Sequence, residues 1–255
     1  MTNQGTFSDP AGFKPPVESV SRQWLVSLRS LDEVRIAFEY PIDILDLKEP
    51  RNGPLAPSPV ELWLETVTIV EAMIHAKPKL SAALGEPDQA RRVASRLPAT
   101  FDFAKAGPSG CHSPQRLTQM WEDVRDRLPT KVELVAVAYA DHHAAESIAP
   151  ESVFETAKRA GLNRCLIDTF TKDGRSTLDH LSIDRLTEIS AIARDFGLWW
   201  ALAGSIRHAD VEKLNQSNVH PDCIGVRGDV CSGDRTSSLC RQKMQCWADT
   251  FRSFL

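Results

Sequence analysis

The chain has 255 residues, 42% hydrophobic and 25% charged, with 30 basic and 34 acidic side chains. The net charge of −4 gives no basic footprint for nucleic acid or an anionic membrane surface. No apolar run reaches the roughly 18 residues of a spanning helix, and the length suits one large α/β domain or two small ones.

The first stretch, MTNQGTFSDPAGFKPPVES, has no apolar centre and so does not read as a secretory signal. Residues 1–22 are expected to be a flexible polar extension. From residue 24 onward, short apolar runs alternate with helical patterns. The strand candidates are 24–28, 43–47, 79–84, 101–106, 132–140, 164–168, 198–204 and 223–227. Helix candidates fill the gaps at 31–39, 59–76, 87–96, 113–127, 151–160, 182–196, 208–215 and 235–252. Ser113 before Pro114, and Ser182 before Asp184, have the chemistry of helix starts, while Gly161 and Gly197 sit where C-terminal glycines sit. Strands apolar on both faces and joined by helices imply a parallel sheet covered all round. Eight such units in one chain match a single closed (β/α)8 barrel over residues 23–255. The competing doubly wound sheet lacks its glycine-rich turn after an early strand.

The six cysteines, at 111, 165, 223, 231, 240 and 246, form no close CxxC pair. They have neither zinc-like spacing nor the density of a disulfide scaffold, and a reducing, cytoplasmic compartment fits them.

A barrel of this type carries its chemistry at the C-terminal ends of its strands. Several ionisable residues fall there. Asp46 and Lys48 end the second strand in DILDLKEP, two apart and therefore on one face. Lys105 ends the fourth strand, Asp141 follows the fifth, and Asp168 ends the sixth with Lys172 four residues later. A desolvated lysine beside other cations loses basicity, and its neutral amine can attack a carbonyl to form an imine. The plainer alternatives are a snorkelling surface lysine at 48, an ion pair of Asp46 with Lys48 or an arginine, and a turn built on KDG. The loops after strands 7 and 8 read AGS and GVRG. There Gly204, Ser205, Arg227 and Gly228 are the candidates to hold a phosphate, with backbone N–H groups and a bidentate guanidinium. Asp141, His142 and His143 are consecutive, so they scatter rather than converge on a metal, and no metal site is expected.

The motifs LVSLRSLDE, DILDLKEPRNGPL, SAALGE, FAKAG, VAVAYAD, IDTFTKDG, LAGSI and IGVRGDVC occur in one order over roughly residues 24–250. In them the chain resembles the (5-formylfuran-3-yl)methyl phosphate synthase family of methanofuran biosynthesis. The resemblance implies a (β/α)8 barrel that joins two molecules of glyceraldehyde 3-phosphate into a phosphorylated furan aldehyde, losing phosphate and water. It implies no metal or organic cofactor and a small phosphorylated triose as partner; a homo-oligomer is expected because barrels commonly associate. By motif, Lys48 corresponds to the Schiff-base lysine and Lys105 to the general acid/base, while Asp168 and Lys172 match further active-site positions. The chain departs from the family pattern at Ala56, Glu86, Pro108 and Asp229. Two readings compete: a Schiff-base aldolase or lyase on another sugar phosphate, and a non-catalytic barrel that binds a phosphorylated metabolite.

Overall fold

The computed structural model describes residues 22–74 and 77–252. The expected extension at 1–22 therefore lies outside the described residues except for Arg22, as do the last two positions of the helix expected at 59–76.

Eight parallel strands close on themselves in chain order: β1 (Gln23–Leu28), β2 (Ile44–Leu47), β3 (Lys79–Ala83), β4 (Phe103–Ala106), β5 (Glu133–Tyr139), β6 (Arg164–Asp168), β7 (Trp199–Leu202) and β8 (Cys223–Val226). Closure is made by β1 against β8, with Leu25 opposite Gly225. The outer layer holds α1 (Leu31–Ala37), α2 (Val60–Glu71), α3 (Pro87–Val93), α4 (Pro114–Arg125) and α5 (Pro150–Arg159). It continues with α6 (Thr177–His180), α7 (Ile183–Phe196), α8 (His208–Asn215) and α9 (Arg241–Arg252). The expected helix starts are present: Ser113 accepts from Arg116 N–H and Ser182 from Arg185 N–H, and Gly197 ends α7 in the left-handed conformation. The four-residue α6 is not among the expected helices, although Ser176 and Asp179 have the spacing of a capping box ahead of it.

Two apolar layers form because side chains alternate along each strand. Outward-facing residues such as Trp24, Val26, Leu45 and Trp200 pack under the helices. Inward-facing residues, among them Leu25, Ile44, Phe103, Val137, Tyr139 and Leu166, fill the barrel. Trp199 and Trp200 divide accordingly. Trp200 meets Phe154 edge-on beneath α5, and Trp199 faces the barrel floor.

That floor is sealed by charge and aromatic rings. The Arg164 guanidinium lies 4.7 Å from the Phe103 ring centre and 4.5 Å from Trp199, and pairs with Glu133 at 2.8 Å. Three aspartates repeat one device at the same end. Asp43, Asp102 and Asp222 stand just before β2, β4 and β8, and accept from the first free amides of the preceding strands, Trp24, Leu80 and Trp200. The polar residues at this end thus complete the sheet's hydrogen bonding. The opposite end has buried charges instead, among them Lys48, Lys105 and Asp168.

Candidate active site

Inward positions at the C-terminal end of the barrel are polar: Ser27, Asp46, Lys48, Ser81, Lys105 and Asp168 are all buried. Lys48 continues the line of β2, held there by its amide bonding to Leu28 O before Pro50 turns the chain. Its exposure is 7%, against 3% for Lys105, 2% for Asp168 and 0% for Asp46. Charges this deep must be paired, and two carboxylates serve three ammonium groups.

Asp168 is shared. Its Oδ1 lies 2.7 Å from Lys172 Nζ and its Oδ2 lies 3.8 Å from Lys48 Nζ. Lys172 also donates to Thr169 Oγ1 at 2.9 Å, and Thr169 N–H donates to Asp168. One layer deeper, Lys105 Nζ is 2.6 Å from Asp46 Oδ1, a charge contact not aligned as a hydrogen bond, while Ser27 Oγ donates to Asp46 Oδ2. The plainer alternative, an ion pair of Asp46 with Lys48 or an arginine, gives way to pairing between strands, Asp46 with Lys105 and Lys48 with Asp168. All five groups form one electrostatic cluster.

Burial is the main reason the Lys48 amine is lowered to about 8. Asp168 and Asp46 oppose the shift, and Lys172 and Lys105 reinforce it. Asp168 moves the other way. Burial alone would raise its carboxyl, but Lys172, Lys48 and the two hydrogen bonds outweigh that and hold it at about 2. Near neutral pH the site thus combines a poised amine with a firmly ionised carboxylate.

Lys48, Asp168 and Lys172 open into one pocket with Gly204, Ser205, Arg227 and Gly228. Gly204 has φ +91°, and a Cβ there would come within 2.3 Å of Thr177 Oγ1 and 2.9 Å of Thr169 N. Only glycine lets β7 end against the start of α6 and the loop carrying Lys172. Ser205 follows at φ 54°, strained for a non-glycine residue, a conformation that clusters at functional sites.

Arg227 has other partners than the phosphate grip expected of it. Its five N–H donors go to Glu33 (twice), Ser27 O, Arg235 O and Ser237 O. Its side chain secures the loop after β8. A second arginine lines the same pocket, Arg235, which the sequence reading placed at the start of a helix over 235–252. That helix begins at 241, and residues 231 and 239 instead form an isolated antiparallel bridge.

Other residues support the mouth. Asp141 accepts from the amides of Phe170 and Thr171, both at 2.7 Å, and so pins the loop that carries Lys172. Glu86, one of the departures from the family pattern, accepts from Tyr139 OH at 2.5 Å and from Ser109 N–H at 3.0 Å. Its carboxylate lies where a side chain at Gly107 would stand. Asp229, another departure, accepts from Trp247 Nε1 and ties the β8 loop to α9. A larger hollow of about 690 Å³ lies between α3 and α4, lined by Arg92, Arg116 and Asp123, and holds none of the five clustered groups. Among the described residues there is no group of three or more His, Cys, Asp or Glu placed to hold a metal ion, and no helix long and apolar enough to cross a membrane.

The chain is similar to known proteins over most of its length. A (5-formylfuran-3-yl)methyl phosphate synthase from Methanosarcina mazei is 33% identical over 229 residues, spanning 86% of this chain and 94% of that protein. The synthase of the same name from Archaeoglobus fulgidus is 33% identical over 227 residues, with the same coverage of both. The crystal structure of (S)-3-O-geranylgeranylglyceryl phosphate synthase from Thermoplasma acidophilum, complexed with sn-glycerol-1-phosphate, superposes with a TM-score of 0.60. It covers 92% of this chain and 96% of that one at 12% identity, and shows the shared barrel fold. The profile of 4-HFC-P synthase matches residues 24–248. With that match spanning the whole barrel, the chain belongs to the 4-HFC-P synthase family.

Proposed function

We propose that this chain is itself a (5-formylfuran-3-yl)methyl phosphate synthase, joining two molecules of glyceraldehyde 3-phosphate through an imine on Lys48 and supplying a methanofuran-type one-carbon carrier. The observation that carries the reading is the buried Lys48 amine, lowered to about 8 and facing an ionised Asp168. The relatives' shared name supplies the product.

The neutral amine attacks the aldehyde carbon of one triose and water leaves, giving a cationic imine that acts as an electron sink. Loss of the proton on the adjacent carbon forms an enamine, which serves both expulsion of phosphate and bond formation to the second aldehyde. Two three-carbon phosphates lose one phosphate and two waters to give the six-carbon furan phosphate, so the atoms balance without an oxidant. Lys105, held by Asp46, and Asp168 move protons. Lys172 keeps Asp168 ionised and adds positive charge beside the phosphate. Backbone at Gly204, Ser205 and Gly228 approaches the phosphate closely.

Borohydride reduction in the presence of glyceraldehyde 3-phosphate, followed by intact mass and peptide mapping, tests the reading. A triose-derived adduct on Lys48, lost in Lys48→Ala, is expected. An adduct on Lys105 or Lys172 would reassign the nucleophile, and no adduct despite substrate binding would rule out imine catalysis. An acyclic aldol product in place of the furan would refute the assigned reaction.

A further inference from the structure

A phosphate held in this pocket needs a donor set, and Arg227 has none to give. All five of its N–H groups are spent on protein acceptors, among them the carbonyls of Arg235 and Ser237. Arg235, the residue whose backbone Arg227 holds, reaches over the pocket. It donates from Nη1 to Pro50 O at 2.6 Å and from Nη2 to Gly53 O at 3.1 Å. Those two carbonyls belong to the loop directly after Lys48. The Nε–H and one N–H on each Nη have no protein partner among the described residues, and the side chain lines the pocket with Gly204, Ser205 and Gly228. A half-buried guanidinium with three donors left over is suited to a phosphate, which it can meet bidentately.

The geometry points to Arg235 as the side chain that grips the substrate phosphate, with Arg227 as the positioning residue that fixes its loop. Arg235 also latches the 50–53 loop to the β8 loop, so phosphate binding and the placement of Lys48 depend on one side chain. The ligand chemistry is a phosphate monoester or free phosphate. The assignment rests on the reading of the pocket as a phosphorylated-aldehyde site, whereas the latch rests on geometry alone.

The test compares the wild type with Arg235→Lys, Arg235→Gln and Arg227→Lys. Inorganic phosphate binding is measured by calorimetry, turnover with glyceraldehyde 3-phosphate, and borohydride trapping with unphosphorylated glyceraldehyde. Arg235→Gln is expected to weaken phosphate binding by roughly 10- to 100-fold and to raise KM for the phosphorylated aldehyde in parallel. Imine trapping with the unphosphorylated aldehyde should persist. Arg235→Lys should recover only part of the affinity, since an ammonium lacks the fork. Arg227→Lys should raise KM more than it lowers kcat, with phosphate affinity falling although Arg235 is intact.

Unchanged phosphate affinity in folded Arg235→Gln, with loss in a Lys172 variant instead, would overturn the assignment. Retained binding of free phosphate with loss of the ester alone would confine the grip to substrate. A wild type that turns over no triose phosphate would refute the synthase reading, while an Arg235-dependent phosphate isotherm would still uphold this site.

Discussion

Lys48 is where stability and reactivity conflict. With the amine at about 8, about a tenth of it is neutral at pH 7, far more than for an ordinary lysine. We expect kcat/KM to rise roughly tenfold per pH unit up to about pH 8 and then to level, read from a pH–rate profile. Asp168 favours the ammonium form, so Asp168→Asn should move that knee to lower pH even as the rate falls. The linkage has the opposite sign from a usual lysine pair. Because the folded-state value lies below the unfolded one, Lys48 destabilises the fold throughout the range below pH 8, and relief comes as pH rises from 8 toward 10.5. Lys48→Met should therefore stabilise the protein at pH 7 by on the order of 2 kcal/mol while abolishing imine trapping, with the gain shrinking toward pH 10 in urea titrations. Four of the five clustered residues were legible as strand ends, Asp46 and Lys48 sharing a face by their spacing of two, and Lys172 as a loop residue four places beyond Asp168. Which acid pairs with which lysine was not, because Asp46–Lys105 and Lys48–Asp168 join strands that are distant in the chain.

Among the elements, the loop after β8 carries most of what the sequence hid. SGDRTSSLC reads as the polar start of a helix, yet 235–240 stay irregular so that Arg235 can span to Pro50 and Gly53. Nothing local signals this, since the carbonyls that hold the loop open find their donors on Arg227, and Arg227 is itself held by Glu33 from α1. Glu33 stands in the first turn of α1. It is 2% exposed, accepts from Arg29 N–H and makes a two-pronged pair with Arg227. Glu33→Gln leaves that guanidinium buried and unpaired, and should cost about 3–5 kcal/mol in urea unfolding. The strands, by contrast, fell within one or two residues of their expected bounds, because continuous apolar runs between turn signals are the strongest pattern a parallel barrel leaves.

Across the whole molecule, the two ends of the barrel divide the labour. The floor is closed by Arg164 between Phe103 and Trp199 and by three aspartates on strand amides, while the mouth gathers the buried lysines and their carboxylates. Asp102→Ala should strand the buried Leu80 amide and cost about 1–3 kcal/mol in thermal or urea unfolding. At 25 °C it should leave the pH–rate profile unmoved, which separates it from any change at the mouth. In the sequence Asp43 and Asp102 read as part of their strands and only Asp222 stood before one; their recipients lie one strand back, across a helix, and only the fold brings them together. Closure also has a temporal side. Trp24 on β1 is stacked against Phe251 on α9 at 5.3 Å, and the free edge of β1 is covered only by β8. During folding β1 therefore stays unpaired along one edge until β8 is in place, and Trp24 gains its stacking partner only with α9. An edge left open while the six strands between β1 and β8 fold is an adhesive one, and closure by β8 is what removes it.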